Sequence, residues 1–174
     1  MSTKKPIKMR DRLLNLLLIG AILAGTQWYA ARGLVSGAPP SLSGQTLNGK
    51  AFNLADFNGR AAVIYFWASW CGICGQMQSS IKQIAQAAPL ISVAMQSGGA
   101  AEVNQYQIEH DFHPDTLLDE NGDLSRAYGL KGVPAVFILD PQGHIRYATS
   151  GYTTPWGIRL RLWLAQNFYR SERS

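Results

Sequence analysis

The chain has 174 residues, 47% of them apolar and 16% charged, with 17 glycines and 8 prolines, which suits one globular domain with length to spare and excludes a disordered, collagen-like or low-complexity chain. Two cysteines are too few for the bridge framework of a small secreted scaffold. The net charge of +5 sits at one end: Lys4, Lys5, Lys8, Arg10, Arg12 and Arg32 face only Asp11 among residues 1–32, while the ten basic and ten acidic residues of 33–174 cancel, so nucleic acid is not an expected partner.

Residues 1–12 read as a basic cytoplasmic N-terminus. Residues 13–31 then run without a charge, and a helix of that length reaches about 28 Å, the thickness of a bilayer core. Trp28 and Tyr29 stand at its far end, where amphipathic rings favour the interface, and the basic cluster precedes the span. The expectation is one N-terminal transmembrane helix in the inner (cytoplasmic) membrane, with the rest of the chain in the periplasm. The competing reading, a cleaved leader, lacks a small-x-small site near Trp28–Arg32.

Residues 32–43, rich in Gly, Pro and Ser, read as a linker, and 44–170 as the folded domain. Phe52–Leu54 suggests a short edge strand. The unbroken apolar run Ala61–Trp67 predicts a strand buried on both faces. From Cys71 to about Ala88 the spacing becomes helical, with Cys74, Met77, Ile81, Ile84 and Ala88 along one stripe, and Pro89 stops it. Leu90–Met95 reads as a second buried strand, Ala101–His110 as a helix, Thr116–Leu118 as a short extended piece before an Asn121-Gly122 turn, and Leu124–Tyr128 as a short helix. Ala135–Leu139 is a third strand, turned at Asp140–Gly143 into the return strand His144–Ala148. Thr154 caps a last helix with Pro155 at its first position, and Trp156, Leu160, Trp163, Leu164 and Phe168 are expected to line its inner face. This order predicts an α/β fold with a central mixed β-sheet flanked by helices.

The chemistry concentrates in Trp70-Cys71-Gly72-Ile73-Cys74, where the buried strand gives way to a helix. Two cysteines three apart at a helix start share a face and can form a disulfide. Cys71 would sit where unpaired N–H groups and the helix dipole favour a thiolate, with a pKa near ~3.5–7.5 instead of about 8.5. Cys74, on the inward stripe, would be the protected, resolving partner that thiol–disulfide exchange requires. Three other uses remain open. A static disulfide closing so small a loop adds little stability. A zinc site would need His110 and His113, whose spacing departs from finger patterns. Copper bound by Cys71, Cys74 and Met77 is chemically reasonable, since soft sulfur suits Cu(I). His110, His113 and His144 otherwise read as surface groups, and Arg159 and Arg161 as a solvated face.

The run Ala61–Cys74 resembles the active-site strand and turn of thioredoxin-fold proteins. Leu54–Arg60 before it is similar to the lead-in of the membrane-tethered TlpA/ResA branch, Gly132–Asp140 resembles the conserved-proline strand, and the extra strand and helix between Leu90 and Asp119 are similar to that branch's insertion. The likeness spans about Pro40 to Asn167, and the Gly-Ile dipeptide with residues 149–156 narrows it toward a copper-tolerance subgroup. The resemblance implies a thioredoxin-like fold and a redox-active disulfide between the catalytic Cys71 and Cys74. It also implies a cis bond before Pro134 and a substrate-binding surface of Trp70, Val133 and Pro134, where the Val133 backbone pairs with an incoming polypeptide. Protein thiols or disulfides are the implied substrates, with a membrane or soluble redox partner, and no dissociable cofactor or metal is called for. In one respect the chain departs from the pattern. Reductants of this kind keep a buried acid near the inner cysteine, and the corresponding positions hold Tyr65 and Met77, so a proton would have to travel through water or the backbone.

Overall fold

The computed structural model describes residues 9–169, apart from the side chains of 9–11, 23, 24 and 27–31; the expectations for residues 1–8 and 170 lie outside the described residues. The chain divides after Arg32 into two units. The first contains helix α1, Met9–Ala31, whose described leucines and isoleucines, Leu13 to Ile22, are exposed. Their positions occupy every side of the helix. Among the described residues, no helix is long and apolar enough to cross a membrane.

The second unit is built on β3 (Ala62–Trp67), flanked by β4 (Leu90–Met95), β5 (Thr116–Asp119), β6 (Ala135–Leu139) and β7 (Ile145–Ser150) in the order β5-β4-β3-β6-β7. β3 runs parallel to β4, and β4 to β5, whereas β6 is antiparallel to both β3 and β7. The expected mixed sheet is therefore present. Every residue of β3 is buried because both faces are covered. Val63, Tyr65 and Trp67 pack with α2 (Gly72–Ala87) and with Ile158, Leu162 and Ala165 of α5 (Pro155–Phe168). Ile64 and Phe66 pack on the other face with Leu42, Phe52, Tyr128 and Phe137. That two-sided cover is why this strand lacks the polar alternation of a half-buried one. Helices α3 (Ala100–Glu109) and α4 (Asp123–Ala127) connect the parallel strands and the final hairpin. A separate two-stranded ribbon, β1 (Ser43–Gln45) and β2 (Ala51–Asn53), also forms.

Two expectations change. Residues 33–42 are aperiodic as a linker should be, yet they are held against the domain. The Val35 N–H donates to the Tyr128 carbonyl at 3.2 Å, Gly37 exchanges backbone bonds with Ile145, and the Tyr128 hydroxyl donates to the Pro40 carbonyl at 3.1 Å. Leu34, Val35 and Leu42 supply the apolar contacts for this docking. The second correction concerns α5. Thr154 caps it as expected, accepting from the Gly157 N–H at 3.1 Å. Its inner face, however, is Ile158, Leu162 and Ala165, while Trp156, Leu160, Trp163 and Phe168 are exposed and Leu164 is half-buried. The helix packs on β6 and α2 through medium and small side chains at i, i+4 and i+7; Trp156, Leu160 and Trp163 repeat that spacing two positions earlier, about 200° around the helix, and so form its outer face.

Gly129 marks where the docked segment meets the domain. Its φ is +73°, and a Cβ there would lie 1.9 Å from the Gly33 carbonyl oxygen. Gly151 has a similar φ, +86°, with open space around it. Gly151→Ala should therefore cost only the left-handed conformation, about 1–2 kcal/mol. Gly129→Ala should cost more and expose residues 33–37 to protease. Urea unfolding and limited proteolysis of both variants check this; equal costs and equal digestion would contradict the close approach.

Candidate active site

The chain leaves the buried end of β3 through Ala68, Ser69 and Trp70 and enters α2 at Cys71, which is the helix N-cap. The cysteine sulfur takes the place of the usual capping oxygen: the Cys74 N–H points at Cys71 Sγ at 3.2 Å. Helix N-termini present unsatisfied N–H groups and a partial positive charge, so a sulfur in this position is favoured as an anion when reduced. Cys71 and Cys74 form a disulfide, with Cα atoms 5.2 Å apart. The pair is unequal, Cys71 being 8% and Cys74 1% exposed. Any partner sulfur meets Cys71 first.

The β6 approach completes the wall opposite the disulfide. Val133–Pro134 is a cis peptide bond, as the resemblance implied, and the Val133 carbonyl oxygen lies 3.6 Å from Cys71 Sγ. The Gly151 N–H donates to the Pro134 carbonyl at 2.8 Å, which stitches the end of β7 to the proline. Trp70, Ile73 and Tyr152 are exposed apolar side chains on the segments that converge here. All five residues singled out in the sequence thus flank one another or the disulfide, Trp70 and Cys74 through the chain around Cys71, and Val133 and Pro134 across from it.

Beneath α2, Tyr65 and Met77 are both fully buried in the cluster that holds Cys74. Burial, and secondarily the neighbouring Tyr106, push the Tyr65 phenol far above its ordinary ionisation range, so it stays neutral. Its hydroxyl has no hydrogen-bond partner among the described residues. Tyr106 differs: its hydroxyl accepts from Gln78 Nε2 at 2.8 Å. Burial raises the Tyr106 ionisation and that bond opposes the rise. The buried carboxylates among the described residues, Asp119 and Asp140, are engaged elsewhere. Asp119 accepts from the Leu124 and Ser125 N–H groups at the start of α4, and Asp140 from the Gln142 and His144 N–H groups and Arg146 Nε.

The histidines lie apart from the disulfide chemistry. His110 stacks on Tyr106 with ring centroids 4.0 Å apart, and His113 and His144 are exposed beside Asp111 and Asp140. Among the described residues no group of three or more His, Cys, Asp or Glu converges as a metal site. What sequence reasoning missed is the segment after β4. The Ser69 N–H donates to Ser97 Oγ at 3.0 Å, and Trp70 Nε1 donates to the Gln96 carbonyl at 3.0 Å. The only signal was the Gln96-Ser97-Gly98-Gly99 run, which marks a turn but not what the turn holds.

A family model described as the AhpC/TSA family matches residues 35–148, from the docked segment into β7. The chain belongs to the AhpC/TSA family. It is similar to a thioredoxin-like protein of Haemophilus influenzae, 29% identical over 163 residues that cover 92% of this chain and 97% of that one. It is also similar to the thiol-disulfide oxidoreductase ResA of Bacillus cereus, 23% identical over 159 residues, covering 83% and 91%. Among solved structures, the pneumococcal exposed lipoprotein thioredoxin Etrx1 of Streptococcus pneumoniae superposes with a TM-score of 0.65 at 22% identity, covering 71% of this chain and 98% of that one. This AhpC/TSA chain carries the fold and the paired cysteines of a thioredoxin-like disulfide oxidoreductase of the DsbE/ResA type.

The two tyrosines give a test of the buried polar groups. Tyr65→Phe removes an unpaired hydroxyl and should leave the oxidised protein as stable or up to about 1 kcal/mol more stable, whereas Tyr106→Phe strands Gln78 and should cost about 1–2 kcal/mol. Urea unfolding at neutral pH measures both. A loss above about 1 kcal/mol for Tyr65→Phe would show that its hydroxyl is paired.

Proposed function

We propose that this protein is a membrane-tethered thiol–disulfide oxidoreductase of the periplasm that acts on protein thiols and disulfides through Cys71 and Cys74. The observation that carries the reading is the inequality of the two sulfurs. One caps α2 and faces Val133; the other is sealed beneath the helix. In the reducing direction the Cys71 thiolate attacks a substrate sulfur, the substrate S–S bond breaks, and a mixed disulfide forms while one substrate thiolate leaves. Cys74, deprotonated, then attacks Cys71 Sγ, and its proton goes to the second departing substrate sulfur. Two electrons have passed from the cysteine pair to the substrate. The oxidising direction is the same path reversed. Trp70, Val133 and Pro134 are the residues that would dock the polypeptide, the Val133 backbone pairing with it as an added strand.

The tether is supported by the basic cluster at Lys4–Arg12, the uncharged stretch 13–31 and the helix that covers it. The same charge asymmetry supports a cytoplasmic N-terminus and a periplasmic domain. The Gly-Ile dipeptide between the cysteines and residues 149–156 support a place in the suppressor-of-copper-sensitivity D group and hence a role in copper tolerance. Native protein should sediment with membranes and keep its N-terminal residues; a soluble form beginning near Arg32 would remove the anchor from this reading.

The chemistry itself is tested by trapping. Cys74→Ser forms the covalent intermediate and cannot resolve it, so substrates should accumulate as mixed disulfides on Cys71, while Cys71→Ser should trap few. Non-reducing gels of membranes from cells expressing each variant display the adducts, and mass spectrometry names the partners. Equal trapping by both would overturn the assignment of roles. Trapping by neither, with stoichiometric Cu(I) binding by the reduced wild type, would replace it with copper sequestration by Cys71, Cys74 and Met77.

A further inference from the structure

Trp70 precedes the attacking cysteine and is 61% exposed, yet its ring is tied down. The indole N–H donates to the Gln96 carbonyl at 3.0 Å. One residue earlier, the Ser69 N–H donates to Ser97 Oγ, and that hydroxyl in turn donates to the Met95 carbonyl at 3.1 Å. Residues 95–97 therefore hold both residues that lead into Cys71.

Gln96 is where the backbone changes duty. Its N–H still belongs to the sheet, donating to the Asp119 carbonyl at 2.9 Å, while its carbonyl has left the ladder and faces Trp70. The change is made by a left-handed backbone, φ +45°, at a residue with a full side chain. The other described non-glycine residue with positive φ, Asp111, is exposed in the turn after α3. Glutamine rarely adopts this conformation, and such residues persist only where the surroundings hold them, which is commonly beside ligand-binding surfaces.

We propose that the Gln96 turn is a positioning device that presents Trp70 as a pre-oriented docking plate for polypeptide partners, so that Gln96 sets affinity for protein substrates without taking part in thiol chemistry. The inference rests on Trp70 touching the substrate, as proposed above. An exposed indole that is already fixed loses little rotational freedom when a partner settles on it. Releasing it should weaken docking by about three- to tenfold, the cost of ordering one large side chain.

The full chain in detergent is assayed with insulin as the polypeptide disulfide and glutathione disulfide as the small one. Gln96→Val places a β-branched residue where φ is positive and should raise KM for insulin about three- to tenfold, with kcat and the glutathione disulfide rate held. Gln96→Gly, which adopts the same φ freely, should restore KM to within about twofold of wild type. Trp70→Phe keeps a ring but loses the N–H donor; it should raise KM as Gln96→Val does, and Gln96→Val added to it should change nothing further. A Gln96→Val effect that persists in the Trp70→Phe background, that falls equally on both disulfides, or that is absent while Trp70→Ala raises KM would overturn the inference alone. An unchanged KM in Trp70→Ala would instead remove Trp70 from the docking surface, and the inference with it.

Discussion

Burial of β3 on both faces is the constraint on which the site depends. A strand with no exposed residue cannot slide or twist without displacing α2 and α5 on one side and the Leu42–Phe137 cluster on the other. Its end is therefore a fixed point, and Cys71 is placed from it by only Ala68, Ser69 and Trp70. The parallel pairing of β4 with β3 and the antiparallel pairing of β6 bring residues 95–97 and 133–134 to that same end. The disulfide thus lies where neighbours on both sides of one strand converge.

The polar groups near Cys74 follow a different logic from those elsewhere in the core. Trp67 Nε1, Ser92 Oγ, Thr116 Oγ1 and Gln107 Nε2 form a continuous buried chain with links of 3.1, 2.7 and 2.8 Å, each satisfying the next, as buried polar groups generally must. Tyr65, on the same strand as Trp67, is left out of it. Neutral and without a hydrogen-bond partner among the described residues, its hydroxyl lies in the cluster that buries the inner sulfur and contributes no charge to it.

The parts of the fold legible in the residues were those fixed by period and punctuation. Ala61–Trp67 announced a doubly covered strand, Pro89 and Asn121-Gly122 marked ends, and Thr154-Pro155 marked a helix start within one residue. The Cys-x-x-Cys pair at a strand-to-helix junction was legible in the same way as a possible disulfide, and the cis bond before Pro134 only through the family resemblance. Three features were not legible, each for a reason of its own. Residues 33–42 have a loop's composition, and nothing local shows that Val35 and Gly37 find backbone partners at Tyr128 and Ile145, more than ninety residues away. On α5, size misled: large aromatics look like core, but the face that packs on β6 and α2 carries Ile158, Leu162 and Ala165. Gln96 carries no mark of its left-handed backbone, since that conformation is imposed by what surrounds it.

The sulfur cap on α2 has an electrical consequence. An amide N–H aimed at Cys71 Sγ meets a neutral sulfur in the disulfide and a full negative charge in the reduced form, and the helix behind it adds its field with the same sign. The cap thus discriminates between two redox states of one atom without any movement of the backbone. Whatever preference it creates for the thiolate is drawn from the disulfide, and each tenfold of it moves the couple by about 30 mV toward stronger oxidation. The first turn of α2 contains no acidic residue to offset that pull, so the electron affinity of the pair is written into the opening peptide groups of a helix.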